Sequence, residues 1–261
     1  MKLPLLIGLS LACAISAPAQ LLAPNATGIS MGAVELTVRD IDANVSFFKA
    51  LGGTPVSNGS VNLIEFPGMF VKLQKGDPSA GSIGSIVNHF GFQVRSMNDW
   101  LPKWQAAGLK IEPVTRPTQA YLRTPDDVRV EILEEPSLTT PIAGHHIHFF
   151  TPDIPGMEAW YVKTFGAIPG KRAQFEAADL PGINLTFSGS PTPTVPTQGR
   201  ALNSICFEVK GLLEFVAKLN AEGVRIEKPY AKLPNSSIAK ATITDPWGTT
   251  IELTEGLAST P

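Results

Sequence analysis

Apolar and polar residues alternate in several short segments, and each group of such segments is divided by a stretch with helical spacing. Every second residue is apolar over 33–38, which is typical of a half-buried strand. A helical spacing follows, with Asp40 as its predicted N-cap and Gly52 as its end. Residues 61–66 and 69–74 again favour strands. The pattern predicts a unit of strand, helix and several short strands.

The same unit recurs along the chain. A strand over 89–94 and a helix over about 97–107 are predicted, with further strands near 109–112, 121–124 and 128–133. From residue 145 the order is repeated, so that Asp40-Ile41 returns as Asp153-Ile154. A long internal repeat fixes the architecture, because each copy must bury its own apolar face. Four such units in two pairs predict an α+β fold.

The repeat and the segments around it divide the chain. The predicted parts are a signal peptide over 1–19, a lead-in over 20–31, a first domain over 32–135, a linker over 136–144, a second domain over 145–255 and a tail over 256–261. A Pro- and Thr-rich insertion within the second domain, at 188–199, is predicted to be a loop.

The first nineteen residues have the pattern of an export signal. Met1-Lys2 precedes an apolar run over 3–14, and Ala17-Pro18-Ala19 is a small-residue cleavage site. The run is too short to span a membrane, which takes roughly 20 residues. We therefore expect cleavage after Ala19 and a periplasmic or secreted protein. Lipidation at Cys13 and a buried N-terminal helix are the alternatives.

Composition limits the possible partners. The 261 residues are 43% hydrophobic and 17% charged, with a formal net charge of -2, as expected of a folded protein with a substantial core. The basic residues are scattered, which argues against nucleic acid as a partner. Cleavage would leave Cys206 as the single cysteine, so no internal disulfide can form. Export without disulfides favours a bacterial protein.

Four segments carry a resemblance to a known family. Residues 34–41 and 146–154 match its first-strand pattern, residues 245–253 (DPWGTTIEL) match its closing signature, and residues 124–132 are a looser copy of it. The chain in this way resembles the vicinal oxygen chelate superfamily, which includes glyoxalase I, extradiol dioxygenases and bleomycin-resistance proteins. The resemblance implies four βαβββ modules that form two tandem glyoxalase-like domains, each around a cupped cavity.

The resemblance also implies where metal ligands belong. Metal-binding members take them from the first strands of two modules and from the closing signature. The corresponding positions are Ala33, His89 and Glu131 in the first domain, and His146, Ser204 and Glu252 in the second. Each domain has therefore lost one of the expected histidines.

Strand parity suggests how each loss is compensated, since residues i and i+2 share a face. Glu35 would join His89 and Glu131 in the first domain, and His148 would join His146 and Glu252 in the second. Two histidines and a carboxylate suit iron, manganese or zinc, so we expect the second domain to hold the stronger site. By the same parity His145 is structural, unless a bulge exchanges it with His146, and Cys206 is a packing residue. No catalytic residue beyond these ligands is identified.

The function predicted from these residues is that of an exported enzyme that depends on a divalent metal. It would be of the lyase, isomerase or dioxygenase type and would act on a small vicinally oxygenated substrate through the second domain. Glutathione-dependent glyoxalase chemistry fits poorly with export. The alternative is a small-molecule-binding protein of the bleomycin-resistance type without metal, and a third interpretation gives the domains a role in assembly alone. Substrate and oligomeric state stay open.

Overall fold

The computed structural model describes residues 21–113 and 116–260. The predicted signal peptide and Cys13 lie outside the described residues. Within these two ranges no helix is long and apolar enough to cross a membrane.

The chain folds into four βαβββ modules, as the repeat predicts. The first comprises β1 (Ile29–Val38), α1 (Ile41–Leu51), β2 (Thr54–Asn58), β3 (Val61–Phe66) and β4 (Met69–Lys75). The second comprises β5 (Val87–Val94), α2 (Met97–Ala106), β6 (Lys110–Glu112), β7 (Gln119–Arg123) and β8 (Arg129–Glu134). The third comprises β9 (Ile142–Thr151), α3 (Ile154–Phe165), β10 (Ile168–Arg172), β11 (Phe175–Leu180) and β12 (Ile183–Gly189). The fourth comprises β13 (Leu202–Val209), α4 (Leu212–Ala221), β14 (Ile226–Lys232), β15 (Ala239–Thr244) and β16 (Thr250–Glu255), and a 3-10 turn follows at Leu257–Ser259.

Local chemistry sets the helix ends. Asp40 and Asp153 cap α1 and α3, each accepting a hydrogen bond at 3.0 Å from a backbone N–H three residues on. Gly52 and Gly166 end the same helices in the left-handed conformation, where a Cβ would be strained. The equivalent caps in the two repeats explain why these segments are alike in sequence.

Strand pairing joins modules that are not neighbours in the chain. The modules form two eight-stranded sheets, in the orders β14-β15-β16-β13-β1-β4-β3-β2 and β10-β11-β12-β9-β5-β8-β7-β6. The first and fourth modules meet through β1 and β13, and the second and third through β5 and β9, both antiparallel. Each sheet therefore takes one module from each sequence repeat.

One continuous core joins the two sheets. It fills the helix-facing side of both with buried aromatic and aliphatic side chains such as Phe48, Phe92 and Phe149. The alternate strand positions face away from the helices, and there buried polar residues gather instead. Burying so many charged groups is unfavourable unless each has a partner, so a functional site is expected on these faces of the sheets.

The aspartates of the closing signatures have structural contacts. Asp245 accepts hydrogen bonds from the backbone of Trp247 and Thr249 and from the Tyr161 hydroxyl on α3, at 2.9 Å. Asp126 accepts one from Asn44 on α1, also at 2.9 Å. Each aspartate thus ties two modules of the same sequence repeat together across the two sheets.

Candidate metal centre

Three adjacent strands bring four ligand-type side chains to one place. His89 lies on β5, His146 and His148 on β9, and Glu131 on β8. In the register of β5 with β9, His89 is opposite His148 and Gly91 is opposite His146. Gly91 is also the partner of Glu131 in the parallel pairing of β5 with β8. We call the site formed by these four side chains the histidine cup.

A β-bulge in β9 orients the ring of His146 towards the other ligands. The register shifts between Gly91 and Phe92, so that Gly144 and His146 face consecutive residues of β5 and His145 is the extra residue. The Nδ1 atoms of His145 and His146 lie 2.9 Å apart, which is a hydrogen bond between the two rings. The bulge therefore leaves His146 facing into the cup and makes His145 its direct partner.

The ligand atoms converge. One atom from each of the four side chains lies within 4.8 Å of all the others, and all four residues are buried. The Oε2 atom of Glu131 is 3.1 Å from Nε2 of His89 and 2.9 Å from Nε2 of His146. Three nitrogens and one carboxylate oxygen at this spacing suit a divalent transition metal.

Neighbouring side chains fix the orientation of each ligand. The Nδ1 of His89 lies 2.8 Å from Oδ1 of Asn88, an oxygen that can only accept, so this nitrogen carries the proton. The other carboxylate oxygen of Glu131 accepts hydrogen bonds from Gln119 and from the Tyr121 hydroxyl. Ser188 contacts Nε2 of His148 at 2.8 Å. Such outer partners are typical of ligands held ready for a metal ion.

Burial decides the charge of the cup. It lowers the pKa of His146 well below the usual value and that of His148 to about 3, so both imidazoles are neutral at pH 7. Burial alone would raise the pKa of Glu131, but the imidazoles of His146 and His89 bring it well below its usual range. The cup therefore holds one carboxylate charge among neutral rings.

The donor set of the cup fits a metal ion. The Nε2 atoms of His89 and His146 lie 3.1 and 2.9 Å from the same carboxylate oxygen, Oε2 of Glu131. The buried Nδ1 of His148 has no hydrogen-bond partner among the described residues. A buried nitrogen without a partner gains one when a metal ion binds, and imidazoles with a carboxylate are ligands that divalent ions prefer.

The structure groups the predicted site residues differently from the sequence-based prediction. His146 and His148 lie in one cup as parity required, but their carboxylate is Glu131 rather than Glu252, and His89 completes the set. The predicted grouping of Glu35 with His89 and Glu131 is corrected in the same way, because Glu35 lies in the other sheet. The physical reason is that β9 pairs with β5, so the cups form between sequence repeats and not within them.

The equivalent place in the other sheet is occupied by a lysine. Nζ of Lys72 lies 2.6 Å from Oε2 of Glu35 and 2.6 Å from Oε2 of Glu252. Lys240 binds the other oxygen of Glu252 at 2.7 Å. We call the site formed by Glu35, Lys72, Lys240 and Glu252 the lysine cup. Its carboxylates already have two ammonium partners, so it offers no open position for a metal ion.

The two cups differ at matched positions. Ala33 and Cys206 are paired in the lysine cup where His146 and Gly91 are paired in the histidine cup. The lysine cup has two small residues where the histidine cup has an imidazole opposite a glycine, and Cys206 is buried, as expected of a packing residue. Burial raises the pKa of its thiol well above the usual value, so it stays uncharged.

Sequence reasoning missed the residues that hold the ligands in place. Asn88, Gln119 and Tyr121 follow from the strand register, which the sequence alone does not give. Lys72 carried a signal, since it is the one charged residue within the otherwise apolar run Met69–Leu73. A lysine at an inward position of a strand implies a buried carboxylate partner.

Gly91 is expected to be essential to the geometry of the centre. A Cβ at this position would lie 2.7 Å from Nδ1 of His146 and 2.9 Å from the backbone oxygen of Glu131. We expect Gly91→Ala to displace the imidazole and to weaken metal binding by about 10–100-fold, the range for disturbed ligand orientation. Metal titration of the purified variant measures this. Gly170→Ala is the control, because its Cβ meets no atom within 4 Å, and equal affinity in both variants would contradict the expectation.

Comparison with known proteins agrees with this architecture. Residues 143–253 match the Glyoxalase/Bleomycin resistance protein/Dioxygenase superfamily. Glyoxalase I from Zea mays is similar over 88% of this chain and 94% of its own, with a TM-score of 0.69 and 16% identity. A proposed dioxygenase from Bacillus subtilis is similar over 91% and 86%, with a TM-score of 0.68 and 14% identity.

No curated protein matches the chain in sequence. At such low identity the two solved structures show the fold, and the superfamily pattern is carried by the second repeat. The predicted resemblance is confirmed: residues 143–253 match the sequence pattern of the superfamily, and nearly the whole chain has the fold of the two solved structures.

Proposed function

We propose that the protein is an enzyme that depends on a divalent metal held by His89, Glu131, His146 and His148. The observation that carries the proposal is the convergence of these four buried ligand atoms within 4.8 Å of one another. A divalent metal at this place supplies Lewis acidity to a substrate with two neighbouring oxygens. The superfamily resemblance supports such a substrate, which we take to be a small diol, hydroxy-ketone or related compound.

The chain's own residues hold the charges in place during such a reaction. Glu131 stays ionised, and Gln119 and Tyr121 fix its outer oxygen. Burial raises the pKa of Tyr121 to about 12, so its hydroxyl remains a donor throughout the physiological range. The guanidinium of Arg129 lies 3.9 Å from the centre of the Tyr121 ring and keeps that side chain in position.

The metal-free binding alternative is favoured at the lysine cup. There two lysines neutralise the carboxylates, and a polar cavity of about 260 Å³ lies beside them, lined by residues that include Asn203 and Ser204. The histidine cup has no internal cation of this kind. The two cups therefore support different roles, with chemistry at one and at most metal-free binding at the other.

Export of the protein is part of the proposal. The pattern of residues 1–19 supports a periplasmic or secreted enzyme, in which a substrate other than a glutathione adduct is expected. Mass spectrometry of the mature protein tests the export part. A chain that begins at Gln20 supports it, and an intact Met1 contradicts it.

Exchange of a substrate's α-hydrogen tests the enzymatic part. Hydroxyacetone in D2O is incubated with protein reloaded with zinc, manganese or iron(II), and oxygen uptake is followed in parallel with catechol. We expect at least one reaction to require both metal and His89. Ser204→Ala is the matched control for His89→Ala, because it changes the equivalent position of the lysine cup. Exchange and oxygen uptake that are equal with and without metal would contradict the proposal.

A further inference from the structure

Arg172 reaches over the histidine cup from the end of β10. Its Nε donates a hydrogen bond of 2.7 Å to Oγ1 of Thr186 on β12. Thr186 is the strand partner of His148 on β9, so the guanidinium is held beside the metal ligands.

The guanidinium has no carboxylate partner among the described residues. Among the described residues, no Asp or Glu oxygen lies within 4.0 Å of Arg172, although its side chain is half-buried. The neighbouring arginines are different, since Arg123 and Arg129 both form ion pairs with Glu112. A half-buried arginine is normally paired, and its planar fork is suited to two parallel hydrogen bonds from a carboxylate or phosphate.

The aromatic ring of Phe175 lies next to the guanidinium of Arg172. The Phe175 ring is 5.8 Å from the guanidinium carbon of Arg172, and its centroid is 5.1 Å from that of His148. The ring gives both side chains an apolar neighbour, which leaves less room for water beside the guanidinium. Ion pairs gain strength where water is excluded, so an anion bound here is held more firmly than at the surface.

The lysine cup shows the contrast. Lys72 occupies the strand position equivalent to Thr186, and its charge is neutralised by Glu35 and Glu252. In the histidine cup the nearest carboxylate charge that attracts Arg172 electrostatically is that of Glu131, which lies beyond ion-pair distance. Glu131 is also a proposed metal ligand. A divalent ion there would leave the loaded cup with an excess of positive charge.

We propose that the substrate carries an anionic group of the carboxylate class beside its metal-binding oxygens, and that Arg172 binds this group. The inference rests on the proposed function, because it places the anion at the reacting end of the substrate. It makes Arg172 the residue that selects 2-oxo or 2-hydroxy acids over neutral ketones and diols of the same shape.

Two probes of equal size test the charge preference. Pyruvate and 3-hydroxybutan-2-one share a vicinal pair of oxygens and the same number of heavy atoms, and differ in that only pyruvate is an anion. Their dissociation constants are measured by NMR titration on zinc-loaded and on metal-depleted protein. We expect Arg172→Gln to weaken pyruvate binding at least tenfold while binding of the hydroxy-ketone is unaffected. Arg225→Gln, at an exposed arginine, serves as the control and is expected to bind both probes as the parent does.

The outcomes separate this inference from the proposed function. Metal content is determined on the same samples, so a parent protein without zinc contradicts the proposed function alone. The preference for pyruvate is expected in the metal-depleted protein too, with weaker affinity, because Arg172 needs no metal to be positive. Equal weakening of both probes in Arg172→Gln, or pyruvate binding unchanged within twofold, would overturn the inference.

Discussion

The purified protein is expected to bind one divalent metal ion per chain, and His146→Ala and Glu131→Gln are each expected to abolish stoichiometric binding. Both side chains reach the centre directly, with Nε2 of His146 and Oε2 of Glu131 2.9 Å apart. Losing an outer partner of a ligand costs about 10–100-fold in affinity, and losing a ligand should cost more. Elemental analysis after zinc loading and gel filtration measures the stoichiometry.

Glu252→Gln is the variant that separates the two possible groupings. The sequence pattern alone placed Glu252 with His146 and His148, whereas in the structure it accepts hydrogen bonds from Lys72 and Lys240. Folded Glu252→Gln protein should therefore keep one equivalent of metal. Loss of metal in this variant together with retention in Glu131→Gln would show that the grouping by strand register is incorrect.

The sequence predicted the modules well because their signals are local. Asp40 and Asp153 mark helix starts, Gly52 and Gly166 mark helix ends, and the alternation over 33–38 marks the first strand. Parity also placed His146 and His148 on one face, because the period of a strand is fixed at two.

The pairing of modules could not be predicted in the same way. The four modules are alike, so the sequence does not say whether β9 joins β5 or β13, and that choice decides whether Glu131 or Glu252 meets His146. Parity assigns a residue to a face but does not assign its partner strand. A bulge that exchanges His145 with His146 was the alternative, but the bulge in the structure lies at His145 and leaves His146 in the cup, as parity predicted.

Lys72→Met is expected to lower the free energy of unfolding by about 3–5 kcal/mol, the usual cost of removing one partner of a buried ion pair. The ammonium lies 2.6 Å from both Glu35 and Glu252, and its side chain is 13% exposed. Without it, the buried carboxylate of Glu35 has no ammonium partner. Urea unfolding followed by tryptophan fluorescence measures the change.

Acidification should reduce this loss. Burial raises the pKa of Glu252, and the charges of Lys72 and Lys240 outweigh this effect and lower it to about 2. Without Lys72 the effect of burial is less opposed, so Glu252 takes up a proton at a higher pH and its unfavourable buried charge is removed as the pH falls. The destabilisation by Lys72→Met is therefore expected to be larger at pH 7 than at pH 4.5. Adding Glu35→Gln to Lys72→Met should recover part of the stability at pH 7 for the same reason.

A surface lysine supplies the comparison. Lys171 pairs with Glu176 at 2.9 Å, but its side chain is 65% exposed, and ion pairs at the surface contribute little to stability. Lys171→Met should therefore unfold almost as the parent does. A loss below about 1 kcal/mol for Lys72→Met as well would contradict the assignment of Lys72 as the internal cation of its cup.

Anomalous X-ray diffraction from crystals of the zinc-loaded protein locates the bound metal ion. The structure predicts one strong zinc peak per chain, bound by Nε2 of His89, Nε2 of His146, Oε2 of Glu131 and a nitrogen of His148, with no peak in the lysine cup. A histidine cup without zinc in the presence of excess metal, or a peak beside Glu252 instead, would contradict the proposed metal centre.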